Sequence, residues 1–229
     1  MTHVHDDEFG DIIIRRTSSR ASMKVTVAPN GQLRISAPRL VPLFGIKRMI
    51  ATSRRELRRL LENRPNRELY DGLPIGKSHR LRIRVAGDVM RLKKSGQELW
   101  LSVPSDQALQ TREVTDEVRK ASIAALRKEA KHYLPKRVGY LAEQYGFRFN
   151  QLRFSHAGTR WGSCSTTGTI SLNIALMQVP FELIDYVIIH ELAHTKEMNH
   201  SLAFWSLVET ACPDYKTSRA EMKKYSPAV

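Results

Sequence analysis

The segment that most restricts this 229-residue chain is Pro180 to Trp205, PFELIDYVIIHELAHTKEMNHSLAFW. Pro180 suits the first position of a helix, and Glu182 and Asp185 stand where the positive end of the helix dipole favours anions. Val187, Ile188, Ile189, Leu192 and Ala193 then make the predicted helix apolar on most sides, so it has to be buried. Into that apolar surface the chain inserts His190, Glu191 and His194. Such groups are costly to desolvate without partners, so any fold this chain adopts must supply partners there.

A zinc ion is one such partner. His190 and His194 are four residues apart, so both imidazoles project from one helix face and can reach a single ion at about 2.0–2.1 Å. Glu191 lies about 100° further round the helix, beside the ion rather than on it. There it can take a proton from water and deliver it to a leaving group. With 8 His in 229 residues, and 14 Glu counted along the same sequence, chance places H-E-x-x-H in about 2% of chains of this composition. A catalytic zinc takes three protein ligands and keeps one position open. His200, five residues beyond His194, is the leading third candidate. Asn199 tolerates a left-handed backbone, so the helix is expected to end there and turn His200 back towards the ion. The spacing equals that of metzincins, but Glu197 stands where they place glycine. Glu209 and Glu221, on the following helices, are the alternative third ligands, as in gluzincins.

HELAHTKEMNHSLAFW, preceded by IDYVII, resembles the YgjP-like metallopeptidase family and, more distantly, the SprT-like zinc proteases. RWGSCSTTGTISLN, from Arg160 to Asn173, resembles that family's second signature, and YDGLPIGKSHRL at Tyr70–Leu81 extends the likeness. The resemblance implies a compact zincin fold of sheet, active-site helix and backing helix. It also implies one zinc ion on His190, His194 and His200, with Glu191 as catalytic acid/base. In such a fold Arg160, in the Arg160-Trp161-Gly162-Ser163-Cys164 run, positions a carboxylate or polarises a carbonyl on a strand that pairs with an extended substrate. The competing role for the run is packing: Trp161 in the core, Gly162 at a bulge, Arg160 as a helix cap.

The remaining pattern is α+β, strand-rich in its N-terminal half and helical in its C-terminal half. Strands are expected at Asp11–Thr17, Met23–Ala28 and Leu33–Ala37, the last two joined through Pro29-Asn30-Gly31. Lys47–Glu62 reads as one amphipathic helix with a basic face. Further strands are expected at Leu81–Val85, Val89–Leu92 and Glu98–Val103, and residues 104–110 read as a linker. Glu113–Tyr145 is helical, broken or kinked at Pro135 and stopped by Gly146. Strands at Phe147–Phe154 and Thr169–Asn173 flank a Gly162–Gly168 turn. The division that follows is a β-rich region 1–110 and a zincin-like catalytic domain 111–229.

Charge bears on partners. Net charge is +14, and residues 1–110 hold 21 Lys/Arg against 11 Asp/Glu. Such a field attracts polyanions or acidic substrates. The expected partner is a peptide or protein substrate. The same excess admits nucleic acid at the basic N-terminal half, as in a protease recruited to DNA, or a metal-dependent phosphohydrolase acting on nucleotides. No glycine-rich phosphate loop or two-metal carboxylate set accompanies it. The N-terminus lacks the apolar run of a secretory signal, no stretch is long enough to span a bilayer, and only Cys164 and Cys212 occur, so a cytoplasmic setting is expected. Cys164 has no local signature of a nucleophile. Tyr186, Tyr215 and Tyr225 are candidate oxyanion helpers. Asn199, Ser201 and Phe204 are expected to shape the turn behind the metal pocket. His3 and His5 fall in an acidic terminus expected to be mobile, and His79, His132 and His156 lack ligand spacing.

Overall fold

The computed structural model describes residues 2–18, 22–27, 32–62 and 68–229, so the predicted Pro29-Asn30-Gly31 turn lies outside the described residues. The chain forms two compact units, Met1–Glu68 and Leu69–Val229. The division expected after residue 110 therefore falls elsewhere. The cause is packing: Leu81, Leu99, Leu101 and Val103 share one core with the helices that follow them.

The first unit is a four-stranded sheet, ordered β1-β2-β4-β3, with two helices. Its strands are β1 (Thr2–Asp6), β2 (Gly10–Thr17), β3 (Lys24–Val27) and β4 (Leu33–Pro38). The N-terminus expected to be mobile is instead β1, paired antiparallel with β2 from Thr2↔Ile14 to Asp6↔Gly10. Asp6 Oδ1 accepts from the N–H groups of Glu8 and Phe9, which closes the turn, while Val4 and Phe9 are buried. The single helix expected at 47–62 is two, α1 (Leu43–Thr52) and α2 (Arg54–Glu62), separated at Ser53. Part of the basic face of α2 is consumed internally. Arg54 pairs with Asp6 at 3.0 Å and Glu8 at 2.6 Å, and Arg58 also pairs with Glu8.

In the second unit, β5 (Arg80–Val85), β6 (Arg91–Ser95) and β7 (Glu98–Val103) form a sheet ordered β5-β7-β6. The predicted linker contains a short 3-10 helix, Asp106–Gln110. It leads into α3 (Arg112–Gln144), which runs unbroken for 33 residues with Pro135 inside it. Leu134 and Val138, both fully buried, keep the helix on the core across the hydrogen bond that proline removes. Gly146, at φ +64°, ends it: the Gly146 and Phe147 N–H groups return to Glu143 and Ala142 carbonyls.

Next come β8 (Gln151–Ser155), β9 (Gly162–Cys164) and β10 (Thr169–Asn173), in the order β8-β10-β9. The segment read as a turn thus begins as an edge strand, β9, paired antiparallel with β10 from Gly162↔Leu172 to Cys164↔Ile170. Three helices complete the unit: α4 (Phe181–Ala193), α5 (Leu202–Ala211) and α6 (Tyr215–Met222). Among the described residues no helix is long and apolar enough to cross a membrane.

Two devices fix α4. Asp185 receives Arg137 Nε and Nη2 from α3 at 2.7 and 2.6 Å, a two-pronged ion pair. Beside it, the Gly76-Lys77-Ser78-His79 loop is latched to Glu129 on α3. The buried Glu129 carboxylate accepts from the N–H groups of Lys77, Ser78 and His79, the Ser78 hydroxyl and His79 Nδ1. Lys77 then reaches the Val179 carbonyl, just before α4, and lies 4.2 Å from the Phe181 ring centroid. A side chain at Gly76 would meet Glu129 Cδ and Leu126 Cδ2 at 2.9 Å, so the loop needs glycine there.

Candidate metal centre

Helix α4 is buried as its sequence requires: Val187, Ile188, Ile189, Leu192 and Ala193 are each 5% exposed or less. It ends earlier than predicted. The helix closes at Ala193, and the Thr195, Lys196 and Glu197 N–H groups fold back on Leu192 and Ala193 carbonyls. Among the described residues no non-glycine adopts positive φ, so Asn199 does not make the turn by a left-handed backbone. Tight hydrogen-bonded turns after Ala193 do the work instead. Ser201 then caps α5 by accepting from the Phe204 N–H at 3.3 Å.

This path brings His200 back over α4. Ring centroids lie 5.0 Å apart for His190 and His194, 5.0 Å for His190 and His200, and 4.8 Å for His194 and His200. The fully buried Phe204 ring backs all three imidazoles at 4.5 to 5.0 Å. His190 Nδ1 is buried with no hydrogen-bonding partner, whereas its Nε2 lies 3.1 Å from His200 Nε2. His194 Nδ1 lies 3.0 Å from the Glu197 carbonyl, which can only accept, so that nitrogen donates and Nε2 is the one turned to the cluster. Burial, then the His194, His200 and Arg219 charges, push the His190 imidazolium down to about 3. The ligand nitrogens of the three imidazoles lie within 4.8 Å of one another, and His200 keeps the cluster open to solvent.

The fit to a tetrahedral ion can be tested on these atoms. Two nitrogens bound to one zinc at ~2.05 Å lie about 3.3 Å apart, close to the His190–His200 separation. Without an ion, the same 3.1 Å contact is a hydrogen bond between the two rings, its donor set by the tautomer. Among the described residues no other cluster of three His, Cys, Asp or Glu side chains has metal-ligand proximity. Glu209 is exposed and Glu221 is paired with Lys224 at 2.6 Å, so neither alternative third ligand joins the group.

Glu191 is 6% exposed and lies under strand β9. A methyl group at Gly162 would fall 2.6 Å from Glu191 Cγ and Oε1. Gly162 is therefore required by the glutamate beneath it; the predicted bulge is an ordinary antiparallel strand. Burial pushes the Glu191 carboxyl up to about 7, with Arg160 pulling the other way. Arg160 itself is exposed, and its carbonyl accepts from Asn173 Nδ2 at 2.9 Å. Asn173, wholly buried, also donates to the Ala157 and Pro227 carbonyls, and its Oδ1 caps the Ala175 N–H.

A cleft of about 230 Å³ opens onto these groups, lined by Trp161, Gly162, Tyr186, Val187, His190, Glu191, Arg219 and Met222. Of the three tyrosines, Tyr186 lines it, Tyr215 is buried behind Trp205, and Tyr225 lies elsewhere. Arg219 of α6 was not among the residues singled out by sequence. Burial and the Glu191 charge raise the Cys164 thiol, which opposes a thiolate nucleophile. His79 is bound to Glu129, His132 borders a separate groove on α3, and His3 and His5 belong to β1. His156 is held below its ordinary range by burial and by Arg119 and Arg127.

The sequence matches the YgjP-like metallopeptidase domain over residues 21–225. The chain belongs to the YgjP-like metallopeptidase family. Its membership spans both compact units and includes every residue of the histidine cluster. Two solved structures are also similar. The metallopeptidase zymogen of Pyrococcus abyssi abylysin has 28% identity over 39% of this chain and 92% of its own, with a TM-score of 0.36. The metallopeptidase zymogen of Methanocaldococcus jannaschii jannalysin has 21% identity over 38% of this chain and 93% of its own, with a TM-score of 0.33. The search of curated proteins returned no match. A YgjP-like metallopeptidase acts on peptide bonds with a divalent metal, and the histidine cluster is where this chain can hold one.

Proposed function

We propose that this chain is a zinc-dependent peptidase in which His190, His194 and His200 hold one zinc ion and Glu191 is the general acid/base. The observation that carries the reading is the convergence of three imidazoles beside a buried glutamate at the floor of an open cleft. Zinc bound there supplies Lewis acidity, polarising a carbonyl oxygen and making water easier to deprotonate. Glu191 takes the proton of the attacking water and passes it to the departing amine. Its burial under β9 fixes the carboxylate and shields it from competing solvent. His194 is oriented by its bond to the Glu197 carbonyl, the outer-shell support that metal-binding histidines characteristically receive. The edge of β9, unpaired among the described residues, offers backbone groups to an extended peptide laid along the cleft. Tyr186, on the cleft wall, is the tyrosine best placed to donate to the developing oxyanion. Arg160 tunes Glu191 by its charge.

The test uses purified full-length protein loaded with zinc and assayed on casein, with nucleoside triphosphates as a control and a chelator in parallel. Chelator-sensitive proteolysis is expected, with no nucleotide turnover. Glu191→Gln should retain zinc while turnover falls by about 10³-fold or more. Proteolysis that survives Glu191→Gln would refute the reading, and nucleotide turnover without proteolysis would transfer the site to phosphoester chemistry.

A further inference from the structure

Arg219 is a solvent-exposed cation on the cleft wall that has no ion-pair partner among the described residues. Tyr215, Arg219 and Met222 are spaced i, i+4, i+7 on α6, so the exposed arginine stands between two buried residues at the rim of that face. Its guanidinium carbon lies 5.0 Å from the Trp205 ring centroid. That indole also stacks with Tyr215 at 5.1 Å and with His200 at 5.7 Å. The ring stack restricts where the guanidinium can sit and leaves its N–H groups free to bind in plane.

Arg219 makes no ion pair or hydrogen bond among the described residues. Of the acidic groups on α4 and α6, Asp185 is paired with Arg137 at 2.6 Å and Glu221 with Lys224 at 2.6 Å, while Glu191 lines the same cleft as Arg219. Its charge is felt instead by Tyr186, His190 and His200. A guanidinium beside the three imidazoles proposed to hold a dication feels a repulsion, screened by solvent because Arg219 is exposed. A purely structural role, covering Trp205, would be served without that repulsion by an uncharged side chain. The placement becomes favourable when an anion enters the cleft, and Arg matches the two oxygens of a carboxylate.

Resting on the peptidase reading above, we infer that Arg219 is a specificity-determining residue that binds a carboxylate of the peptide substrate. The carboxylate can come from an acidic side chain beside the cleaved bond or from a free C-terminus, and both present the same two oxygens. The net charge of +14 favours approach of such substrates.

The test measures binding rather than turnover. Zinc-loaded full-length Glu191→Gln protein is titrated with two pairs of dye-labelled peptides, followed by fluorescence anisotropy. One pair differs by Glu against Gln at an internal position; the other differs by a C-terminal acid against its amide. At least one pair should show about tenfold or greater preference for the acid. The pair that responds identifies the source of the carboxylate. Adding Arg219→Ala should bring the acid-to-amide ratio close to one, and Arg219→Lys should restore part of it. Metal analysis of each variant checks that the histidine site is filled. Equal affinity within both pairs, no measurable binding of any peptide, or a preference that survives Arg219→Ala each overturns the inference. If the preference depends on Arg219 but the parent protein cleaves no peptide, the carboxylate site stands and the peptidase reading falls. If the parent cleaves peptides without regard to charge and binds both members of each pair equally, the reading stands and the carboxylate site falls.

Discussion

Gly162→Ala separates the geometry of Glu191 from the stability of the fold. The new methyl group would sit 2.6 Å from Glu191 Cγ and Oε1 and 2.8 Å from Cδ, about 0.8 Å inside the 3.4 Å where ordinary contact begins. Two things can give way. Strand β9 is held to β10 by an antiparallel ladder and adjoins α4, whereas Glu191 is a side chain that can change rotamer. The cheaper response moves the carboxylate, and a displacement near 1 Å at a reacting group costs on the order of 100-fold in rate. That corresponds to about 2.7 kcal/mol of transition-state stabilisation. The substitution should therefore lower kcat/KM on a fluorogenic peptide about 100-fold, while zinc content stays at the wild-type level. The melting temperature should fall by only a few degrees, since the overlap is relieved without opening the core. Activity within threefold of wild type would show that the contact between Gly162 and Glu191 does not hold the carboxylate in its working position. A loss of zinc together with a collapsed melting transition would show that the strand, rather than the glutamate, yields.

Three further outcomes follow from other contacts. His200→Ala should weaken zinc binding at least about 100-fold in competition with a chelator, while Glu209→Ala leaves it unchanged; the reverse pattern would make Glu209 the third ligand. Glu129→Gln should destabilise the protein by about 1.5–3 kcal/mol in urea, because charge-assisted bonds to the 77–79 loop are lost. Burial raises the Glu129 carboxyl, but hydrogen bonds from His79, Lys77 and Ser78 outweigh it and hold the group below its ordinary range. Its stabilisation is therefore complete above the unfolded titration near ~4.3 and is lost as pH falls through the lower folded value, so the wild type and Glu129→Gln should converge in urea midpoint in acid. Asn173→Ala should cost at least about 2 kcal/mol by stranding the Ala157, Arg160 and Pro227 carbonyls, and Asn173→Asp should not restore it, because a carboxylate cannot donate.

What could be read from the sequence divides along a physical line. The histidine pair and Glu191 were legible because their relation is set by helix periodicity alone, and the apolar residues around them fixed the burial of α4. The return of His200 was legible as a destination but not as a route: backbone turns after Ala193 achieve it without the left-handed asparagine expected. Strand β1 was hidden because its acids look like a solvated tail, yet Asp6 closes a turn and Asp6 and Glu8 hold Arg54 of α2. The boundary between units was missed for a related reason, since strands β5 and β7 show no sign in their own sequence of which helices will cover them.

Glu129 and Arg219 make the same point from the opposite side. Each is a charged residue at a position where helix spacing calls for an apolar one: Glu129 follows Ala125 and Leu126 along the buried stripe of α3, and Arg219 lies between Tyr215 and Met222 on α6. Such a break in an apolar stripe is a sequence signal, because a charge there must either be neutralised if buried or be turned to solvent or a ligand. For Glu129 the fold provides it, in the N–H groups of Lys77, Ser78 and His79 and in His79 Nδ1. Arg219 has no such partner among the described residues and meets solvent at the cleft, where the inference above gives it a substrate carboxylate. The same sequence anomaly thus has two resolutions, and only the packed structure separates a charge that holds the protein together from one that awaits a substrate.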